Sequence, residues 1–289
     1  MNPHHRSPAM NSHGSMPAAL PIESLPLFQL EQAMQAAVAR HEFLVDYQPI
    51  FRLQSGDMIG AEALVRWRHP PLGLLAPATF IPVAEKTGLI VPIGRFVLEQ
   101  ACRLLHIWQT PAMRGLSVSV NVSTLQLAHG DFVRTVRECV EEYGIDPRRL
   151  RLEITETAPI PDHQLVVERL AALRRLGTRI VLDDFGCGYM SLRHLTTLPV
   201  DGIKIDATLT AGLPDEPRVA AIISTVIELA ARLDLSMVVE GVETARQAAW
   251  LNTHERICVQ GYLYARPQPR LYQPLRIRTP ADVGMCRVG

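Results

Sequence analysis

From about residue 26 the sequence alternates short apolar strands with amphipathic helices, and it keeps that rhythm to beyond residue 260 of its 289. A chain of this kind has few options. Alternating β and α segments bury both faces of a parallel sheet under helices. Strands are expected near 43–52, 57–67, 117–122, 150–155, 179–183, 201–206, 236–240 and 257–261. Val118, Val120 and Val122 alternate with Ser117, Ser119, Asn121 and Ser123, and Leu150, Leu152 and Ile154 alternate with Arg151, Glu153 and Thr155. That is the two-residue period of a strand. Val166, Leu170 and Leu173 recur at helical spacing, with Gly177 as a stop, and Val219, Ile222, Ile223, Val226, Ile227 and Ala230 make a wider helical stripe.

Eight strands favour a closed barrel over an open sheet. The first two are too close in sequence for a crossover helix, so they should form an antiparallel hairpin turning at Ser55-Gly56. The expected fold is therefore an α/β, irregular TIM-type (β/α)8 barrel with an antiparallel first strand pair. It should occupy residues 26–275, between a tail over 1–25 rich in Pro, Ser, His and Met and a short tail over 276–289.

Composition narrows the function. Lys and Arg total 29, as do Asp and Glu, a balance that disfavours wrapping DNA through a basic surface. No apolar run approaches the roughly 20 residues of a membrane-spanning helix, so membrane insertion is not expected. The five cysteines, Cys102, Cys139, Cys187, Cys258 and Cys286, form no CxxC pair, which argues against structural zinc. Their odd number, with no apolar signal segment at the N-terminus, reads as reduced thiols in a cytoplasmic protein.

The polar residues carry more. Glu62, Asn121, Glu153, Asp183, Lys204, Glu240 and Gln260 each lie in or at the end of a separate apolar strand. In a parallel barrel such ends converge on one face, where barrel enzymes place their chemistry. Strand parity sets Glu62, Leu64 and Arg66 on one face and Ala61, Ala63, Val65 and Trp67 on the other, and it leaves Asn121, Glu153 and Lys204 inward. Several carboxylates drawn into one pocket must either take up protons or bind cations. Oxygen donors with an Asn amide suit hard ions, and adjacent Asp183 and Asp184 could flank two of them roughly 3.5–4 Å apart. Each residue alone is more ordinary: a strand-end carboxylate is usually a cap or a rim ion pair, and Cys187, in the glycine-rich Phe185-Gly186-Cys187-Gly188-Tyr189, is a small loop filler before it is a nucleophile. The combination across seven strands is what points to a site.

Glu62-Ala63-Leu64, within Gly60-Ala-Glu-Ala-Leu-Val-Arg-Trp67, resembles the signature of the EAL-domain cyclic di-GMP phosphodiesterases. The resemblance runs from Tyr47-Gln-Pro-Ile50 to Pro267. It takes in Ser119-Val-Asn-Val-Ser123, Leu152-Glu-Ile-Thr-Glu156, Leu182-Asp-Asp-Phe-Gly-Cys-Gly-Tyr189, Leu198-Pro-Val-Asp201, Lys204-Ile-Asp206, Glu240-Gly-Val-Glu-Thr244 and Gln260-Gly-Tyr262. It implies hydrolysis of cyclic di-GMP to linear pGpG with two Mg²⁺ or Mn²⁺ ions, in bacterial signalling. Glu62, Asn121, Glu153, Asp183, Asp184 and Glu240 match the metal-binding set. Lys204 matches the lysine that positions the catalytic water, and Glu243 and Gln260 match supporting residues. Gln48, Leu64 and Arg66 match substrate contacts, with Gln260 beside them. Glu156 matches the anchor of the loop Asp184–Ser191, which the family links to metal binding and dimerisation. A homodimer and a regulatory protein partner are the further expectations. The loop departs from the family pattern at Cys187 and Met190, as does the segment Glu255-Arg256-Ile257, but every ligand position is kept. Two other readings remain in view: a regulator that binds without hydrolysis, and an unrelated barrel enzyme using Lys204 as a Schiff-base amine.

Overall fold

The computed structural model describes residues 27–128, 131–155, 163–186 and 192–279. The expectations for the tail over 1–25, for Glu156 and for Cys187 to Ser191 lie outside them.

A helix, α1 (Leu27–Ala39), leads into the hairpin β1 (Phe43–Arg52) and β2 (Met58–His69). Gly56, at φ 73°, makes its turn. A three-residue strand, β3 (Gly73–Leu75), folds back on β2. The helices α2 (Pro77–Thr87) and α3 (Ile90–Ile107) then cross over to β4 (Ser117–Val122), split by Gly88 in the left-handed region. There follow α4 (Thr124–Ala128), α5 (Phe132–Tyr143), β5 (Leu150–Ile154), α6 (His163–Leu176), β6 (Arg179–Phe185), α7 (Leu192–Thr197) and β7 (Gly202–Ile205). The chain continues through α8 (Ala207–Thr210), α9 (Pro217–Arg232), β8 (Ser236–Val239), α10 (Ala245–Leu251) and β9 (Ile257–Val259).

The sheet order β1-β9-β8-β7-β6-β5-β4-β2-β3, with β1 also paired to β2, closes an eight-strand barrel to which β3 is an appendage. The pairs from β2–β4 round to β8–β9 are parallel, whereas β1 is antiparallel to both of its neighbours. The irregular barrel read from the sequence is thus the fold, with the reversed strand where the short first loop requires it.

Local chemistry explains the crossovers. Asp131 caps α5 by accepting from the Arg134 N–H, and Gly144 ends it at φ 58°. Thr244 and Gln247 form a reciprocal capping box on α10. Val166, Leu170 and Leu173 are the buried face of α6, as their spacing predicts, and Gly177 follows at φ 103°. On α9 the buried stripe is narrower than predicted: Ile223, Val226, Ile227 and Ala230 are covered while Ile222 stays 50 % exposed. A single helix lying over the adjacent strands β7 and β8 covers only one stripe. No described helix is long and apolar enough to cross a membrane.

Candidate metal and active site

The site begins with a buried lysine. Lys204, on β7, is 0 % exposed. Its ammonium donates to Glu153 Oε2 at 2.7 Å and Glu62 Oε2 at 3.1 Å, and lies 3.3 Å from Asp183 Oδ1 and 2.5 Å from Glu240 Oε1. Parallel register brings these groups together. Glu62 on β2 is level with Ser119 on β4, and Asn121, two residues further along β4, is level with Glu153 on β5. Asn121 Nδ2 donates to Glu62 Oε1 at 2.6 Å. From the end of β9, two strands from β2 by way of β1, Gln260 Nε2 donates to Glu62 Oε2 at 2.8 Å and to Gln48 Oε1 at 3.0 Å. Gln48 sits directly opposite Glu62 in the antiparallel pair and donates to the Ala265 carbonyl at 3.2 Å.

Asp183 and Asp184 need a special arrangement, because neighbouring residues on a regular strand point to opposite faces. The β6–β7 register shifts between Leu182 and Phe185, and Asp184 takes φ 56°. This bulge turns both carboxylates to the same cleft, with the Asp184 N–H bonded to Asp183 Oδ1 at 3.0 Å. Two overlapping triads result, Glu62 with Glu153 and Asp183, and Asp183 with Asp184 and Glu240; within each, one oxygen per residue lies within 4.8 Å of the others.

Electrostatics single out this cluster. Four carboxylates surround one ammonium, and Asp184 adjoins them beside Asp183. Burial alone would raise Glu62, but the Lys204 charge and the hydrogen bonds from Gln260 and Asn121 hold it below the ordinary carboxylate value. Burial pushes Glu153 up to about 8 despite Lys204, and raises Asp183 and, further, Glu240. Burial and then the Asp183 charge lift Asp184 to about 6. Burial would lower Lys204, but Asp183, Glu153, Glu62 and Glu240 hold it well above its ordinary value. Without added cations the cluster therefore keeps protons that free carboxylates would release, the condition a divalent ion relieves. The donor set is oxygen-only, which fits a hard cation. In addition Gln260 Oε1 is buried with no hydrogen-bond partner, an acceptor still free for such a group.

Above the cluster a cleft of about 390 Å³ is lined by Gln48, Glu62, Leu64, Asp183, Asp184, Glu240, Glu243 and Gln260, with Ala207, Gly241, Gly261 and Tyr262. Glu243 is exposed on this lip, its backbone N–H donating to Gln247 Oε1, and is not among the groups bonded to Lys204. Leu64 borders both this cleft and an adjoining cavity of about 590 Å³ toward α2 and α3. Arg66 is not brought to the cleft: its Nε lies 3.1 Å from Asp46 Oδ2 on β1. Two contributors to the cleft are given no role by the sequence, although both lie within the quoted motifs. Gly241 takes φ 64°, and a Cβ there would stand 2.5 Å from the Ala207 Cβ, so only glycine fits behind Glu240. Tyr262, 50 % exposed, holds its ring at the lip with the Arg266 guanidinium 4.2 Å from the ring centre. A tyrosine after Gln260-Gly261 is visible in the sequence, but its place at the cleft depends on the turn that follows β9.

The family model of the EAL domain matches residues 31–267. The bifunctional diguanylate cyclase/cyclic di-GMP phosphodiesterase MucR of Pseudomonas aeruginosa is 37 % identical over 266 residues, covering 92 % of this chain and 39 % of that protein. The cyclic di-GMP phosphodiesterase NbdA of the same organism is 39 % identical over 241 residues, covering 83 % of this chain and 31 % of its own length. The chain thus spans well under half of these relatives. Among solved structures, the MucR phosphodiesterase in complex with c-di-GMP superposes with a TM-score of 0.78 at 40 % identity, covering 83 % of this chain and 98 % of that one. The EAL enzyme Bd1971, with cAMP and cyclic di-GMP bound, superposes at 0.79 with 32 % identity, covering 84 % of this chain and 66 % of that one.

Proposed function

The chain belongs to the EAL domain family, and from that premise we propose that it is a metal-dependent phosphodiesterase that hydrolyses cyclic di-GMP to linear pGpG. The observation that carries this reading is the convergence of Glu62, Glu153, Asp183 and Glu240 around Lys204 at one mouth of the barrel, with Asp184 grouped beside Asp183 and Glu240. Two Mg²⁺ or Mn²⁺ ions are the proposed cofactors, with Glu62, Asn121, Glu153, Asp183, Asp184 and Glu240 to hold them. When bound, such ions polarise a phosphodiester and make a bound water more acidic.

The chain's own residues supply the rest. Lys204 stays cationic among its carboxylates, so it serves as a fixed positive charge and hydrogen-bond donor that orients the attacking water. The same charge disfavours a Schiff-base role, which needs a neutral amine. Gln48, Leu64 and Gln260 border the cleft and are assigned to the substrate, with Gln260 also holding Glu62 in place. Glu243 at the lip is assigned a supporting role in catalysis. Arg66 is assigned to a substrate phosphate, which it would reach by exchanging Asp46 for that anion. Glu156 is assigned, from the family resemblance, as anchor of the loop after Asp184. On the same resemblance we place the chain in the bacterial cytoplasm as a homodimer open to a regulatory protein partner, with residues 26–275 as the catalytic barrel.

The test is direct. The purified chain with Mg²⁺ is expected to convert cyclic di-GMP to pGpG, followed by chromatography of the nucleotides. Binding of cyclic di-GMP with no product formed under Mg²⁺ or Mn²⁺ would replace this reading with that of a non-hydrolysing receptor.

A further inference from the structure

The opposite mouth of the barrel has the reverse charge. There a cavity of about 720 Å³ is lined by Arg52, Arg151, Arg179 and Arg256, with Asp201 and Asp234 as its acidic side chains. Register explains why the arginines converge. Arg151 on β5 is the direct partner of Arg179 on β6, and side chains at paired positions share one face. Arg52, the last residue of the reversed strand β1, pairs with Cys258 on β9. Arg256 precedes that strand and reaches the mouth from a left-handed backbone, φ 59°, and Asp234 is left-handed too, at φ 55°.

Like charges directly opposite on neighbouring strands destabilise a sheet unless a counter-charge sits between them. For Arg179 the counter-charge is Asp201, at 3.2 Å. Asp201 is already committed, however: Arg174 lies 2.9 Å from the same oxygen, and the Ile180 N–H donates to the other at 2.9 Å. Among the described residues Arg52, Arg151 and Arg256 form no ion pair. Four arginines against two aspartates leave two positive charges in excess around a walled space. The volume is in the range of small-ligand sites, roughly 300–1,000 Å³. Guanidinium forks match phosphate oxygens two at a time.

We propose that this basal mouth is an anion site, separate from the carboxylate cleft, that takes a small phosphate-bearing dianion. It does not depend on the proposed phosphodiesterase activity, since none of its residues belongs to that machinery. Cys258 provides a local reporter: it is half-buried, lines the cavity, and its thiol is pushed up by burial and pulled down by the charges of Arg151 and Arg52.

The experiment alkylates the full chain with iodoacetamide, in Mg²⁺, and quantifies modification of Cys258 by peptide mass spectrometry. Inorganic phosphate and 5′-GMP are titrated against sodium chloride of equal ionic strength, and the fully buried Cys102 serves as the unreactive control. Saturable protection of Cys258 by phosphate or GMP, absent with chloride, is expected. In the double variant R52Q/R151Q the protection midpoint should rise about tenfold or more, the loss of a charge-assisted hydrogen bond or two. The separate variant R256Q, on an exposed turn, should move it in the same direction if the double variant does not fold. Nucleotide turnover, if present in the parent, should be unchanged in both. The proposal is overturned if neither anion protects beyond the salt control, or if the variants leave the midpoint where it was. Protection by a hepta-glutamate peptide with none by phosphate would also overturn it, in favour of an acidic protein partner.

Discussion

Glu62 is the carboxylate that Lys204, Asn121 and Gln260 share, so its removal reaches every side of the cluster. Glu62→Ala is expected to lower kcat roughly 10²-fold or more while far-UV circular dichroism is unchanged, because a fixed electrostatic contribution to the transition state is lost. Activity above roughly a tenth of the parent at saturating Mg²⁺ would take Glu62 out of the machinery. Arg66 calls for a paired comparison. If it grips a substrate phosphate, Arg66→Ala should raise KM more than it lowers kcat, since uniform binding is what disappears. Asp46→Ala frees the same guanidinium and should leave KM level or lower it. If both changes alter only thermal stability, the Arg66–Asp46 pair is a structural link between β1 and β2.

Between elements, a residue outside the cleft holds a helix end to the strand that follows it. Arg149, just before β5 and 8 % exposed, donates to the carbonyls of Leu105 and Trp108 at the end of α3 and to those of Met113 and Leu116 in the loop after it. It ties a helix C-terminus to the next strand and offsets the partial negative charge there. Arg149→Met should cost about 3 kcal/mol or more by stranding those carbonyls. That corresponds to a fall in Tm of roughly 6–12 °C by calorimetry for a chain of this size. Gly241→Ala should act differently. Strain of about 1–3 kcal/mol would displace Glu240, and metal affinity should fall about 10–100-fold. Activity measured against Mn²⁺ concentration distinguishes a shifted midpoint from a lowered plateau. Part of this architecture was legible in the sequence. Period-two alternation made Glu62, Asn121, Glu153 and Lys204 readable, since parity needs only the strand itself. Gln48 is named only through the family resemblance; its place opposite Glu62 comes from the hairpin register. The rest depends on distant chain segments or local irregularity. The partners of Arg149 are 33 to 44 residues away, and β3 is too short to show a period. The bulge that aligns Asp183 with Asp184 is a departure from the very regularity that made the strands visible.

For the molecule as a whole, the carboxylate cluster makes stability depend on pH and metal together. Glu153, Asp183, Asp184 and Glu240 have folded-state values above those of an unfolded chain. The fold therefore holds protons that the unfolded chain gives up, and their contribution is present at low pH and lost as pH rises toward about 8, the value for Glu153. Glu62, shifted the other way, opposes this in part. In chelator the Tm is expected to fall between about pH 5 and pH 8, and added Mg²⁺ should raise it most at the alkaline end, where no proton competes for the site. Scanning calorimetry across pH, with and without Mg²⁺, checks both slopes; a metal increment that did not grow with pH would contradict the protonated cluster. The reversed first strand has a mechanical consequence. Because β1 runs against its neighbours, its first residue, Phe43, lies level with Trp67 near the C-terminal end of β2, the end that carries the carboxylates. A parallel first strand would start at the base instead. Only residues 40–42 separate α1 from that rim, and the Glu42 N–H is bonded back to Ala37 in the helix. Three residues and one backbone hydrogen bond thus hold α1 to the start of β1 at the mouth of the barrel, on the strand whose Gln48 borders the cleft.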